Sequence, residues 1–245
     1  MEGGLKVLFP NFMEFRTFVL YIPFTMRKLL YPLLLAGLSV PLVFLWVSPG
    51  KSAFFSEILT PLAPELTDGP KQPNPDIFSQ KVAEAAAFCT KNGLNTEAAI
   101  LIDLGLHSGS NRCFVVRLSD GNIRLKGLVT HGSGKSGLLA GERKYSNEEG
   151  SLLSSLGKYK TGASYMGQFG LAYKLYGLEA TNSKAYSRYI VLHGHECVPD
   201  AEMDDLLCQS WGCPTVSPEF LKQLQKVIDV SSRPLLLWVY DSGRN

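Results

Sequence analysis

The stretch Ser210-Trp211-Gly212-Cys213-Pro214, with His193-Gly194 upstream of it, is the most informative part of this chain. A cysteine attacks a carbonyl carbon as its thiolate, so it requires a neighbouring base or a positive field that lowers its pKa from about 8.5. Pro214 donates no N–H and restricts Cys213 to extended geometry, which predicts that the thiol lies on a bent loop outside a helix. The pattern therefore predicts Cys213 as a nucleophile and His193 as its base.

The residues around Cys213 also predict how its sulfur is presented. Gly212 allows close approach of a bound carbonyl and backbone angles closed to other residues, and the N–H groups of Gly212 and Cys213 are expected to face an oxyanion. Ser210 is expected to brace the loop through its hydroxyl, with a plain turn role as the open alternative. Trp211 is fixed beside the nucleophile by its neighbours, so we expect it to contact the substrate.

Several further blocks precede this pair, and their order resembles that of a known family. The blocks are His131-Gly132-Ser133, Gly150-Ser151, Ser154-Ser155-Leu156-Gly157-Lys158-Tyr159, Tyr165-Met166-Gly167, Tyr176-Gly177-Leu178-Glu179 and Arg188-Tyr189-Ile190-Val191-Leu192-His193-Gly194. Over residues 98–241 the chain resembles the murein L,D-transpeptidase catalytic domain family. It is similar to the Ser-Trp-Gly-Cys-Pro branch, because Trp211 stands where the best-known branch has His.

This resemblance implies a fold and a reaction. The expected fold is mainly β with a few helices, an L,D-transpeptidase-like β-sandwich or barrel, and no cofactor or metal is expected. The implied reaction forms a thioester between Cys213 and the L-centre residue of a peptidoglycan stem peptide, releases the terminal D-amino acid and transfers the acyl group to an amine. The resemblance also implies that a backbone carbonyl orients His193. It implies that His131 lines the substrate groove, although a polar role at a strand end is equally open.

Other aromatic and imidazole side chains are candidates for substrate contact. Tyr159 and Tyr165 have the amphipathic rings that line peptide grooves, with core packing as the alternative for both. His195 is expected near the groove, and it is the next base to test if His193 proves dispensable.

The five cysteines of the chain predict a disulfide, provided that Cys213 stays free. Cys197 and Cys208 are the closest pair, and a bridge between them would staple the loop that separates His193 from Cys213. Two alternatives stay open. The sulfurs are either small buried hydrophobic groups, or they join His193 and His195 in a zinc site, because His193, His195 and Cys197 alternate along an extended strand.

The N-terminal part of the chain predicts export. Leu29 to Val47 is an uncharged run that follows Met26-Arg27-Lys28, and this pattern fits either a membrane anchor or a secretory signal. We therefore expect residues 1–48 to be an N-terminal extension with a membrane or signal segment at residues 27–48. Residues 49–75 form a proline-rich linker, and residues 76–245 form the catalytic domain. The expected location is the bacterial cell envelope or periplasm.

Composition excludes one class of function and leaves two rivals open. The net charge of +2 provides no basic surface for nucleic acid. A hydrolase or L,D-carboxypeptidase acting on the same stem peptides would share every catalytic residue with a transpeptidase. A non-catalytic wall-binding module would keep the groove without needing Cys213, so the presence of both Cys213 and His193 favours an enzyme.

The hydrophobic pattern predicts the elements of the domain. Asp76 is expected to cap a helix that runs to Asn92, with Gly93 after it, and Ser217 is expected to cap a second helix that ends near Val230. Residues 131–170 are expected to form groove-shaping loops. The predicted strands cover residues 98–104, 113–118, 123–130, 171–175, 188–193 and 235–240, with a hairpin turn at Asp120-Gly121.

Overall fold

The computed structural model describes residues 71–137 and 142–244. Within these ranges the chain forms eight strands and two α-helices, so the prediction of a mainly β domain with few helices is confirmed. The predicted anchor or signal segment at residues 27–48 and most of the predicted linker lie outside the described residues. Among the described residues, no helix combines the length and the apolar character needed to cross a membrane.

The elements follow one another in a simple order. The helices are α1 (Pro75–Asn92) and α2 (Pro218–Ile228). The strands are β1 (Ala98–Asp103), β2 (Cys113–Arg117), β3 (Ile123–Gly127), β4 (Gly157–Gly167), β5 (Gly170–Gly177), β6 (Val191–Gly194), β7 (Thr215–Val216) and β8 (Leu236–Tyr240). A short 3-10 helix, Ala180–Asn182, separates β5 from β6.

The eight strands form one hydrogen-bonded sheet in the order β3-β2-β1-β8-β4-β5-β6-β7. Most neighbours are antiparallel, while β1 pairs with β8 and β6 pairs with β7 in parallel. The C-terminal strand β8 therefore lies between the first hairpin and β4. The short strands β6 and β7 form the other end of the sheet; β6 contains His193 and Gly194, and β7 begins directly after Pro214.

The two faces of the sheet pack against different helices. Along β1, Ile100 and Ile102 belong to the core cluster that contains α2, whereas Ala99 and Leu101 belong to the cluster that contains α1. Both faces of β1 are buried along its whole length, as expected for a strand covered on each side. The alternation of side chains thus gives the domain two hydrophobic layers around one sheet.

The helix ends follow capping rules, with one correction to the sequence prediction. Asn74, not Asp76, is the N-cap of α1, because its side chain accepts hydrogen bonds from the backbone N–H groups of Asp76 and Ile77. Asp76 instead adds a negative charge to the first turn. The predicted end of this helix at Gly93 is confirmed, since Gly93 adopts the left-handed conformation with φ of 66°. Ser217 caps α2 as predicted.

The prediction of loops over residues 131–170 is wrong for the second half of that range. Residues Gly157–Gly167 form β4, the longest strand, which pairs with β8 along its first part and with β5 along most of its length. Its sequence contains three Gly and two Lys in eleven residues and lacks a clear alternation of apolar residues. Hydrogen bonds to the two neighbouring strands form this strand although its local sequence does not favour strand conformation.

The predicted disulfide between Cys197 and Cys208 is present, with the two Cα atoms 6.2 Å apart, and Cys213 is free. Two of the sulfurs in the alternative zinc site are therefore bonded to each other. The predicted alternation of His193, His195 and Cys197 along one strand also fails. The strand β6 ends at Gly194, and a turn begins at His195, whose carbonyl accepts a hydrogen bond from the Val198 N–H.

Candidate active site

The parallel pairing of β6 and β7 assembles the site. His193 lies directly opposite Thr215, and Gly194 lies opposite Val216. Cys213 comes two residues before Thr215, on the loop that enters β7. The pairing of these two strands thus brings the loop that carries Cys213 to the strand that carries His193. Along the chain, the disulfide-bridged segment separates the two residues.

The ring of His193 is held at both nitrogens. Nδ1 donates to the Gly194 carbonyl at 3.0 Å, so Nε2 is the acceptor nitrogen of the neutral ring, and the Thr215 hydroxyl lies 3.0 Å from it. Phe169 stacks on the imidazole with ring centroids 5.2 Å apart. Burial lowers the pKa of His193, and the hydrogen bond to Gly194 opposes that shift only in part. The ring is therefore a neutral base at neutral pH.

The thiol of Cys213 is half-buried between two backbone groups. The Val191 N–H donates to Sγ at 3.5 Å, and Sγ lies 3.6 Å from the Tyr189 carbonyl, which accepts the thiol hydrogen. Burial raises the pKa of this thiol, while the Val191 N–H and the charge of Arg188 act in the opposite direction. Tyr189 itself has φ of 56°, a left-handed conformation that is uncommon for a residue with a side chain.

Thiol and imidazole are consequently both neutral in this state. Sγ donates to Tyr189 and Nε2 bonds Thr215, and no hydrogen bond joins Sγ to the His193 ring within the described part of the chain. A preformed thiolate–imidazolium pair is absent from these contacts. Catalytic hydrogen bonds often tighten only in a reactive complex, so Cys213 and His193 stay a candidate nucleophile and a candidate base.

The loop that carries Cys213 is closed by the Ser210 hydroxyl. Ser210 Oγ donates to the Cys213 carbonyl at 2.7 Å and accepts from the Gly212 N–H at 3.1 Å. The expectation that the Gly212 N–H faces an oxyanion is therefore wrong in this structure, because that group is already bonded inside the loop. The Cys213 N–H has no hydrogen-bond partner among the described residues, so it stays the candidate oxyanion donor.

Gly212 is required where it stands. Its φ is 109°, and a Cβ atom at this position would lie 2.7 Å from the Leu153 carbonyl oxygen. Ser154 Oγ donates to the Gly212 carbonyl at 3.2 Å and accepts from the Gly132 N–H at 3.0 Å. Three segments thus meet behind Cys213, and only a glycine fits between them.

His131 lies behind this loop. Its side chain is buried, its carbonyl accepts from the Ser210 N–H at 2.9 Å, and Nδ1 lies 3.1 Å from Nη2 of Arg112. A guanidinium only donates, so Nδ1 of His131 accepts and Nε2 carries the hydrogen in the neutral ring. Arg112 is itself fully buried and also donates to the Val129 carbonyl. These contacts place His131 in the framework of the loop.

The other predicted substrate contacts are spread over different surroundings. Trp211 is 75% exposed beside Cys213, and Tyr165 is 39% exposed on β4. Tyr165 pairs with Ala172, which pairs with His193, so Tyr165 lies two strands away in the same row, about 10 Å along the sheet. Tyr159 is buried in the core and its hydroxyl donates to the Ser155 carbonyl, so its prediction as a groove residue is wrong.

His195 is exposed at the end of β6. Its Nδ1 accepts from the Cys197 N–H at 3.1 Å, and its ring meets the edge of Phe169, with centroids 5.5 Å apart. Phe169, from the β4–β5 hairpin, therefore contacts both imidazoles. Because β6 has ended, His195 and His193 do not form a row on one strand, and His195 belongs to the rim of the site.

A comparison with protein families identifies the domain. A model of the L,D-transpeptidase catalytic domain matches residues 70–240, which is more than half of the chain. The chain belongs to the L,D-transpeptidase catalytic domain family. A search of curated proteins gave no match.

Solved structures resemble this L,D-transpeptidase domain at low sequence identity. The helical cell shape determining protein Pgp2 from Campylobacter jejuni is 14% identical, with a TM-score of 0.38, over 68% of this chain and 55% of that chain. The Ldtfm-avibactam carbamoyl enzyme is 14% identical, with a TM-score of 0.34, over 60% of this chain and 49% of that chain. This chain thus spans about half the length of these two proteins.

Three residues of this L,D-transpeptidase domain acquire a place in the site that the sequence did not indicate. Thr215 bonds the imidazole, Tyr189 accepts the thiol hydrogen through its carbonyl, and Phe169 stacks on His193. Tyr189 stood inside a quoted motif, but nothing marked its backbone as functional. Thr215 would have been found only from the register of β6 against β7, which local sequence does not specify.

Proposed function

We propose that this domain is a cysteine-dependent L,D-transpeptidase that acts on peptidoglycan stem peptides. The observation that carries the proposal is the arrangement of one half-buried thiol, bonded to the Val191 N–H, beside an imidazole whose acceptor nitrogen is fixed by Gly194. Family membership supports the substrate class. The reaction is acyl transfer through a thioester on Cys213.

The first half-reaction forms the thioester. Sγ of Cys213 attacks the carbonyl carbon of the L-centre residue, and its proton passes to Nε2 of His193. The carbonyl oxygen becomes an oxyanion that the Cys213 N–H can stabilise. Collapse breaks the peptide bond, and the leaving amine of the terminal D-amino acid takes the proton from His193. In the second half-reaction an acceptor amine attacks the thioester and its proton returns through His193 to the sulfur.

Thr215 supports the two protonation states of the base. With a neutral ring, its hydroxyl donates to Nε2 of His193 at 3.0 Å. When the ring becomes an imidazolium, Nε2 carries a hydrogen, and the hydroxyl can accept it while turning its own hydrogen to the Cys213 carbonyl, 3.4 Å away. The Gly194 carbonyl accepts from Nδ1 in both states. The bond between Thr215 and Nε2 must open while Nε2 exchanges a proton with Sγ or with the leaving amine, and the bond from Nδ1 to Gly194 holds the ring meanwhile.

Product analysis tests the proposal. Mass spectrometry of purified muropeptides incubated with the protein separates a cross-linked product from amino-acid exchange and from hydrolysis, because the three differ in mass. Cross-links or exchange are expected. Hydrolysis alone would assign the domain as an L,D-carboxypeptidase, and no product from a folded protein would favour a non-catalytic wall-binding module.

Two variants test the roles of the residues. Cys213→Ala removes the nucleophile, so product formation and the mass adduct with a carbapenem should both disappear while the fold is kept. His193→Ala removes the base, so alkylation of Cys213 should slow near neutral pH and recover at alkaline pH, where the thiol ionises unaided. An adduct that persists in Cys213→Ala would refute the assignment of the nucleophile.

The proposed location is the bacterial cell envelope or periplasm, with residues 27–48 acting as a membrane anchor or an export signal. The disulfide between Cys197 and Cys208 supports this placement, since such bonds persist in oxidising compartments. Membrane fractionation of cells that produce the full chain, compared with a chain lacking residues 1–48, tests the segment. Recovery of both proteins in the cytosol would contradict it.

A further inference from the structure

Arg188 has an unusual set of partners. Its guanidinium forms four hydrogen bonds, all to uncharged oxygens of the segment 146–155 that precedes β4. The acceptors are Ser146 O at 2.8 Å, Ser155 Oγ at 3.1 Å, Ser151 Oγ at 3.1 Å and Leu153 O at 2.6 Å. The guanidinium is therefore fixed in place by neutral groups, and none of these groups neutralises its positive charge.

Arg188 also has no carboxylate as a direct ion-pair partner among the described residues. Among the described residues, no Asp or Glu oxygen lies within 4.0 Å of its nitrogens. The exposed Glu148, which pairs with Lys184 at 2.9 Å, and the exposed Glu149 act on Arg188 only through space. Arg188 is half-buried, and buried charges in proteins are as a rule paired. This guanidinium is therefore held without a direct carboxylate partner among the described residues, and Glu148 and Glu149 balance its charge only through space.

Cys213 is where that negative charge would form. Arg188 directly precedes Tyr189, whose carbonyl contacts Sγ, and lies three residues before Val191, whose N–H donates to Sγ. Leu153 O, which accepts from Arg188, is also the atom that a Cβ on Gly212 would meet at 2.7 Å. The guanidinium is thus bound to the loop against which the nucleophile packs, and its charge acts on the Cys213 thiol.

We propose that Arg188 is an electrostatic positioning residue of this site. Its guanidinium fixes the segment 146–155 against the loop that carries Cys213, and its positive charge stabilises the thiolate of Cys213 when the thiol proton leaves for His193. The role matters because His193 is neutral before the proton moves and provides no positive field at that stage. This inference rests on the proposed function for its meaning in catalysis, but the ionisation of the thiol can be measured without any substrate.

The test is the pH dependence of Cys213 alkylation by iodoacetamide. Cys213 is the reactive thiol, because Cys89 and Cys113 are buried and the other two cysteines form the disulfide. Arg188→Gln removes the charge, and its alkylation rate at neutral pH should fall roughly tenfold, as expected for a shift of one unit in the midpoint, and recover at alkaline pH. Arg188→Lys keeps the charge, so its midpoint should stay close to that of the wild type although the guanidinium is lost.

Arg117→Gln is the matched control, since it removes a guanidinium that pairs with Asp120 on the surface at the end of β2. Its midpoint should not move. A wild-type midpoint in folded Arg188→Gln, or a loss of rate by the same factor at every pH, would overturn the electrostatic role.

If Arg188→Gln fails to fold, a shifted midpoint in Arg188→Lys would overturn the role as well. Muropeptide assays of the same proteins separate this inference from the proposed function. A shifted midpoint without any muropeptide product would leave Arg188 assigned and refute the transpeptidase.

Discussion

The Ser210 hydroxyl closes the loop that carries Cys213, so its removal should destabilise that loop. Ser210→Ala deletes the bond to the Cys213 carbonyl at 2.7 Å and the bond from the Gly212 N–H at 3.1 Å. At about 1 kcal/mol for each neutral hydrogen bond, the loss is about 2 kcal/mol. Since Gly212 is buried, its N–H has no easy access to water, and this makes the figure a lower bound.

This loss should appear in both stability and reactivity. A change of about 2 kcal/mol lowers the Tm of a domain of this size by about 4–8 °C. If the whole loss falls on the reactive conformation of the loop, the rate of acylation decreases about 30-fold, because each 1.36 kcal/mol is worth about a factor of ten. Thermal unfolding gives the first quantity, and time-resolved intact-mass measurement of carbapenem acylation gives the second.

Ser187→Ala provides the matched control. Ser187 also forms two hydrogen bonds, to Glu149 at 2.9 Å and to the Lys184 carbonyl at 3.1 Å, but its side chain is exposed, so water replaces both partners. Its Tm should change by no more than about 2 °C, in line with surface substitutions of about 0.5 kcal/mol. Equal Tm values and equal acylation rates for Ser210→Ala and Ser187→Ala would refute the reasoning.

Three further predictions concern the surroundings of the loop. Phe169→Ala uncovers the His193 ring, so the lowered pKa of His193 should rise toward its ordinary value, and the acidic limb of the pH profile of kcat/KM should move to higher pH. An unmoved limb would show that Phe169 does not shield the ring. Replacing Cys197 and Cys208 by Ser should lower the free energy of unfolding by about 3 kcal/mol in denaturant titrations, because the unfolded chain without the disulfide gains loop entropy. An unchanged denaturation midpoint would contradict this. Gly132→Ala would place a Cβ 2.4 Å from a backbone oxygen, so the free energy of unfolding should fall by about 1–3 kcal/mol or more, and acylation should be lost. Gly137→Ala, with open space around it, should lower the free energy of unfolding by only about 1 kcal/mol. Equal melting temperatures of the two variants would argue against the steric reason.

The disulfide and the helix ends illustrate what local sequence specifies well. Cys197 and Cys208 are close in the chain and bracket a loop, so the partner choice needed little tertiary information. Ser217 followed by Pro218 defines the start of α2, because capping depends on adjacent residues. The error at α1 has the same local scale, since Asn74 and Asp76 are both good caps and Pro75 between them fixes the first turn.

The strand β4 illustrates what local sequence does not specify. Its Gly and Lys residues are not typical of strands, yet β8 and β5 pair with it from both sides. Tyr159 was misassigned for a related reason. An aromatic ring with one polar end suits a groove and a core equally well, and its burial depends on which strands surround it.

The sequence by itself indicated a candidate nucleophile and a candidate base, and its ordered motifs indicated the L,D-transpeptidase catalytic domain family to which the chain belongs. Those properties depend on residue type and spacing. The tertiary structure decided the state of the site, because it set Thr215 against His193 by strand register, directed the Cys213 thiol to the Tyr189 carbonyl and placed the Arg188 charge behind the loop. Burial, hydrogen bonding and electric fields arise between segments that are distant in the chain, so no local pattern can specify them.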